Sequence, residues 1–280
     1  MIGHDGRRPL VEVRRPLVEV RRVTKHFGGV MAVDGVNCDL YAGEVVGLLG
    51  HNGAGKSTLI KMLSGVYPPD SGEILVNGRP MRFGSPREAR AAGIETIHQT
   101  LALADNLDAA ANLFLGRELM TPWRTLDTPR MQHEARQIIQ RLNPHFTELH
   151  KPVRAMSGGQ RQTVAIARAL YFNARILIMD EPCAALGPAE TRMVMDTIRR
   201  LKADGIGIFL ISHDMPDVFE VCDRVTVMKN GKVVSTERVA DLTQDDVLSM
   251  IILGRPPQRQ HATTLPQVTP TSSAASMGPA

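Results

Sequence analysis

At 280 residues, 43% hydrophobic and 22% charged, the chain holds enough apolar matter for one large α/β domain with an inserted subdomain, or for two small domains. Its net charge of +4 is no nucleic-acid footprint, because residues 1–25 carry seven Lys/Arg against three Asp/Glu, Arg255 and Arg259 follow at the other end, and the stretch between is left at about −2. Three scattered cysteines (Cys38, Cys183, Cys222) without metal spacing suit a reducing cytosol, and no apolar run approaches a membrane span, so any membrane role has to go through a partner.

The chain opens with RRPLVEV twice in tandem, at residues 7–13 and 14–20. Only one copy can be a given first strand. The second runs directly into RRVTKHFGG, so the strand is expected over 17–24 and residues 1–15 as a disordered arm. GEVVGLLG (43–50) is a short apolar run ending in glycine, and the following HNGAGKSTLIKMLSG has its apolar residues at helical spacing. GEILVNGRP (72–80) has the Asn-Gly turn and alternation of a hairpin.

Residues 100–158 differ, with helical patches broken by TPWRTLDTP and NPHF, and are expected to form a helical insert. RILIMD (175–180) and GIGIFLIS (205–212) are continuously apolar, in the manner of buried parallel strands. DRVTVMKNGKVVSTE (223–237) predicts a second Asn-Gly hairpin. From 254 to 280 the chain is a Pro/Ser/Thr tail too polar to build a core, expected to be disordered, which leaves 16–253 as the folded domain.

The strongest local signal is GHNGAGKS, residues 50–57, lying between a predicted strand and a predicted helix. Glycines there let successive backbone N–H groups turn toward phosphate oxygens, and the helix N-terminus adds its dipole. In this pattern Gly50, His51, Asn52, Gly53, Ala54, Gly55 and Thr58 form the cradle, Lys56 reaches the β- and γ-phosphates, and Ser57 offers a hydroxyl to Mg²⁺. A loop of this kind does not choose among kinases, GTPases and transport ATPases, but no N-K-x-D appears, which argues against a GTPase. In MSGGQRQTVAIARAL (156–170), Ser157 and Gln160 have capping-box spacing, and the glycines between them, Gly158 and Gly159, are expected to leave the helix N-terminus bare for an anion.

With these motifs in this order, residues 17–250 resemble the ATP-binding subunit of an ATP-binding cassette (ABC) transporter. The resemblance implies an α/β fold: a P-loop, RecA-like core with an antiparallel β subdomain and an inserted α-helical subdomain. It implies ATP and Mg²⁺ as ligands and a head-to-tail dimer, in which Ser157, Gly158, Gly159 and Gln160 face the γ-phosphate held by the other copy. Asp180 resembles the carboxylate that steadies Mg²⁺, and Glu181 the general base. Gln99 resembles the hinge glutamine that senses metal and permease, His213 the switch histidine, and Phe27 the aromatic that stacks on adenine.

Two departures narrow the likeness. Gly187 stands where most such ATPases carry an Asp linking the two sites, and Cys183 replaces a usual Thr. PCAALGPAET and residues 93–118 nevertheless resemble importers of ribose-, xylose- and fructose-type monosaccharides. Many relatives fuse two cassettes, whereas this chain has one, so a homodimer is implied. The resemblance thus implies a peripheral ATPase on the cytoplasmic face of the membrane, an integral-membrane permease as partner, and a periplasmic sugar-binding protein that delivers the cargo. The rivals are a cassette serving another cargo or an exporter, a soluble ABC protein acting on ribosomes or nucleic acid, and a non-hydrolysing nucleotide sensor.

Overall fold

Asn-Gly at the tips of two hairpins and a row of uninterrupted apolar strands sort the chain into two sheets. The structure, a computed structural model, describes residues 15–257 except Ala185. Most of the expected arm (1–15) and tail (254–280) therefore lies outside the described residues.

The first part of the chain supplies β1 (Val18–Phe27), β2 (Val30–Leu40), β3 (Val45–Leu49), α1 (Lys56–Leu63), β4 (Ser71–Val76), β5 (Arg79–Met81), α2 (Pro86–Ala91) and β6 (Ile94–Ile97). Three helices follow: α3 (Ala109–Phe114), α4 (Thr128–Leu142) and α5 (Gly158–Tyr171). The rest is β7 (Ile176–Asp180), α6 (Pro188–Ala203), β8 (Gly207–Ile211), α7 (Met215–Val221), β9 (Arg224–Lys229), β10 (Lys232–Arg238) and α8 (Gln244–Leu253). A four-stranded antiparallel sheet has the order β2-β1-β4-β5, and a six-stranded sheet the order β10-β9-β3-β8-β7-β6. Within the larger sheet only β10 runs antiparallel to its neighbour.

The apolar strands are buried on both faces, and the period of two sorts their side chains between two cores. Val45 and Leu49, Leu177 and Met179, and Ile208 and Leu210 face the layer that holds α3 to α8. Val46 and Leu48, Ile176 and Ile178, and Phe209 and Ile211 face the layer of α1 and the antiparallel sheet. The predicted strands end where polar residues begin, at Asp180 and after Ile211, and both ends open on the same edge as Gly50.

Sequence pattern alone predicts no strand over 30–40, yet β2 is the longest one, at eleven residues. Residues 36–40 alternate apolar and polar, but Asp34 and Gly35 break the pattern after Val33 and leave too short a run to read as a long strand. Pairing with β1 from Val18–Leu40 to Phe27–Val30 holds it in place, so tertiary context overrides propensity. The same pairing carries β1 past the expected end at residue 24, out to Phe27. Both Asn-Gly turns form: Asn77 and Gly78 have φ of 51° and 76°, Asn230 and Gly231 of 49° and 80°, which is the left-handed pair that a tight hairpin requires.

Between β6 and β7 the segment is helical. Helices α3, α4 and α5 share one apolar seam, in which Phe114 stands edge-on to Tyr171 at 4.7 Å between ring centroids. No helix among the described residues is long and apolar enough to cross a membrane.

Candidate nucleotide-binding site

Where β3 ends, the chain must turn sharply before α1 can start, and two glycines make that possible. Gly50 has φ 145° and Gly55 φ 102°, conformations that L side chains rarely adopt. A Cβ on Gly50 would run into the Met228 carbonyl, and one on Gly55 would lie 2.5 Å from the Ala32 carbonyl. The loop is tied to its surroundings by Ala54 N–H donating to His51 O (3.0 Å) and Gly231 N–H donating to Ala54 O (3.0 Å). Lys56 Nζ donates to Gly50 O at 2.5 Å and to His51 O at 3.0 Å, so the ammonium is drawn back over its own loop. Burial lowers the Lys56 pKa, and the charges of Glu181 and Asp180 oppose that shift.

The loop forms one wall of a cleft of about 740 Å³. Asn52 to Thr58 line it together with Gln99, Asp180 and Glu181. Its remaining wall is Val30, Met31 and Ala32 from β2, which carry no sequence signal, with Ile211 at the end of β8 and Asn230 from the turn of the second hairpin. Of the residues singled out in the sequence, the cleft gathers Asn52 to Thr58, Gln99, Asp180 and Glu181, while Gly50, His51 and His213 are not among its walls. Phe27 is not among its walls; that ring is half exposed and edge-on to Tyr67 at 5.1 Å.

Asp180 closes the buried strand β7. Burial raises its carboxyl pKa above the ordinary value, the Glu181 charge adds to the rise, and His98 and Lys56 act against it. A cation in the cleft would reverse that shift. Ser57, Gln99 and Asp180 offer only hard oxygen donors, and no cluster of three His, Cys, Asp or Glu occurs among the described residues. That set fits Mg²⁺, with water and phosphate oxygens completing its shell.

Glu181 is the next residue, and its φ of 52° is left-handed although it is not glycine. Such a conformation costs about 1–2 kcal/mol. The Glu181 N–H donates to Ile211 O at 2.9 Å, which holds the strained residue against the end of β8. From the loop after β8, His213 Nδ1 lies 2.7 Å from Glu181 Oε2. That hydrogen bond, and then the Glu181 charge, raise the His213 pKa above its ordinary value even though 81% of the ring is exposed.

Ser157 to Gln160 do not line this cleft within one copy. Ser157 N–H donates to Gln160 Oε1 at 2.9 Å and Gln160 N–H to Ser157 Oγ at 3.3 Å, so the expected capping box is present. The helix end is not bare, which corrects the expectation. Glu190, from the first turn of α6, places Oε1 3.5 Å from Gly159 N while Oε2 accepts from Gly187 N–H at 3.3 Å. Bonding from Ser157, then from the Gly187 amide, holds that carboxyl below the usual range. Beside it a second cleft of about 670 Å³ is bordered by Gly158, Arg161, Gln99 and Glu181, so the glutamine and the second acid face both spaces. Cys183 is partly buried, and burial pushes its thiol up to about 12, which makes it a packing residue and not a nucleophile.

A phosphate loop at the turn from β3 to α1, an acid pair at the end of β7 and a histidine beyond β8, the strand between those two, define a P-loop nucleoside-triphosphate-binding domain. Residues 33–184 match the sequence model described as ABC transporter, and the chain belongs to that family. It is similar to the fructose import ATP-binding protein FrcA of Rhizobium meliloti, 43% identical over 85% of this chain and 94% of that one. The xylose/arabinose import ATP-binding protein XylG of Sulfolobus acidocaldarius is 42% identical over 82% of this chain and 91% of its own. Among solved structures, the dimeric post-hydrolysis state of the ATP-binding cassette MJ0796, bound to ADP and Pi, superposes with a TM-score of 0.66. It is 25% identical and covers 79% of this chain and 98% of its own.

Proposed function

We propose that the protein hydrolyses ATP to energise import of a monosaccharide through a membrane permease. The observation that carries the chemistry is the Glu181–His213 pair, 2.7 Å apart at the edge of the phosphate cleft. A carboxylate so placed takes the proton of a water attacking the γ-phosphate, and His213 keeps it in one orientation. The amides of Asn52 to Thr58 and the Lys56 ammonium cradle the phosphates. Ser57, Gln99 and Asp180 would hold Mg²⁺, whose charge neutralises phosphate oxygens when it is bound.

Ser157 to Gln160 do not line their own nucleotide cleft, so in this reading a second copy supplies them; the MJ0796 dimer supports that arrangement. The sugar-import names of FrcA and XylG support the cargo class. In this reading a homodimer sits on the cytoplasmic face of the membrane, contacts a permease through the segment after Gln99, and depends on a periplasmic sugar-binding protein for delivery. Phosphate release by Glu181→Gln should fall about 10²- to 10⁴-fold below wild type, the usual worth of a positioned base. Equal rates would remove Glu181 from the mechanism. Sugar uptake across a monosaccharide panel, in cells with and without the chain, tests the cargo, and unchanged uptake of every sugar would overturn it.

A further inference from the structure

We propose that Glu190 is a specificity-determining residue: its carboxylate sits on the anion-binding end of α5 until a third phosphate displaces it. The proposal rests on the reading in which Ser157–Gln160 of one copy close over nucleotide held by another. Helix α5 is 14 residues long and has no acidic residue in its own first turn, so its N-terminal amides present the positive end of a full dipole. Capping α6 requires only the bond from Gly187 N–H to Glu190 Oε2. The other oxygen is spent on a different helix, facing Gly159 N.

The chain is shaped to let that carboxylate in. A Cβ on Gly158 would strike Leu186 Cδ2, and one on Gly159 would lie 3.3 Å from Met193 Sδ and 3.4 Å from Glu190 Cβ. Glycine at both positions brings α6 close enough for Glu190 to reach across. Gly187 contributes no side chain to compete for the same amides.

Two anions cannot share these donors, because their repulsion at hydrogen-bonding range is uncompensated. The amide contacts of Glu190 are long, at 3.3 and 3.5 Å, the residue is only partly buried, and its other partner, Ser157, is itself one of the groups that the incoming phosphate would engage in its place. It can therefore swing into solvent at little cost once a stronger, more highly charged oxygen group arrives. A nucleoside diphosphate in the partner's cleft ends one phosphate short and leaves Glu190 in place. The residue thus makes closure of two copies selective for the triphosphate.

The test uses the full chain carrying Glu181→Gln to prevent turnover, with dimer formation followed by analytical ultracentrifugation against MgATP and MgADP. Adding Glu190→Gln should lower the half-saturating ATP concentration for dimerisation about five- to tenfold and allow dimer to form with ADP, as removal of one opposing charge does at an interface. Glu190→Asp, which keeps an acid in the first turn of α6 but is one methylene too short to reach Gly159, should act in the same direction. A tie that merely holds the fold would instead lower the melting temperature and raise the ATP requirement. Either an unchanged or a raised requirement in both variants would overturn the proposal. If Glu181→Gln alone gave no dimer at saturating ATP, the paired-copy reading itself would fail and the proposal with it.

Discussion

At Gly55 the two demands on a phosphate loop meet in one atom that is missing. The residue needs φ 102° to swing the chain from loop to helix, and the Ala32 carbonyl lies where a side chain would begin. That neighbour is backbone within β2 and cannot rotate away. Gly55→Ala should therefore cost about 1–3 kcal/mol in urea unfolding. It should also weaken MgATP binding more than tenfold in a fluorescent-nucleotide titration, because the loop moves before the fold fails. A second residue-scale prediction concerns charge. The folded pKa of His213 is raised above its ordinary 6.5 by the hydrogen bond to Glu181. The pair's contribution to stability is then complete below that unfolded value and is lost as the pH rises through the raised one. The ring is mostly exposed, so screening keeps the effect small. The melting temperature of wild type should exceed that of His213→Ala by more at about pH 6 than at about pH 9, and an offset equal at both pH values would show that Glu181 does not hold the imidazolium.

Among the elements, one link between the cleft and the helical layer is a buried amide, Asn112, beside the bonds from Arg168 Nη1 to Ala102 O (2.9 Å) and from Val153 N–H to Leu107 O (2.9 Å). Asn112 on α3 accepts from Ala104 N–H at 2.7 Å and donates to Ala104 O at 3.0 Å and Leu107 O at 3.1 Å, so the loop after Gln99 is stitched to the helix. Asn112→Ala orphans those groups at about 1–3 kcal/mol each. Hydrogen exchange at the Ala104 amide should quicken by about tenfold or more while the amides of β7 and β8 stay protected. Exchange unchanged at Ala104 would mean that the loop is held by other contacts. Such a stitch is invisible in sequence, because an Asn inside LDAAANLF has no periodic or cap signal of its own. By contrast β3, β7 and β8 were legible, since runs such as ILIM and IFLI, too short for a buried helix and bounded by polar or glycine residues, suit strands buried on both faces. The cleft wall at Val30 to Ala32 was not legible. It is brought there by Asp34 N–H donating to Gly231 O (2.8 Å), a pairing between segments about 200 residues apart. Glu190 was missed for a related reason. Three residues beyond Gly187 it has capping-box spacing, but the box lacks its Ser or Thr, and that its second oxygen reaches α5 is a tertiary fact.

On the scale of the molecule, the Ser157–Gln160 end of α5 forms no wall of the cleft that holds the phosphate loop. Lys56 and Asp180 open on one cleft, Gly158 at the start of α5 borders the other, and Gln99 and Glu181 line both. If a working site is one half from each of two copies, two different dead copies should repair each other. A Lys56→Ala chain keeps a sound Ser157 end, and a Ser157→Glu chain keeps a sound phosphate loop. Mixed in equal amounts, half of the dimers pair one of each, and every such dimer has one intact site and one doubly damaged one. Phosphate release should then recover to about a quarter of the wild-type rate, from two parents that are each nearly silent, if the sites turn over independently. The recovery should depend on protein concentration, because it requires association. A mixture as silent as its parents would mean that each copy builds its site alone, and the placement of Ser157 away from the phosphate loop would need another explanation.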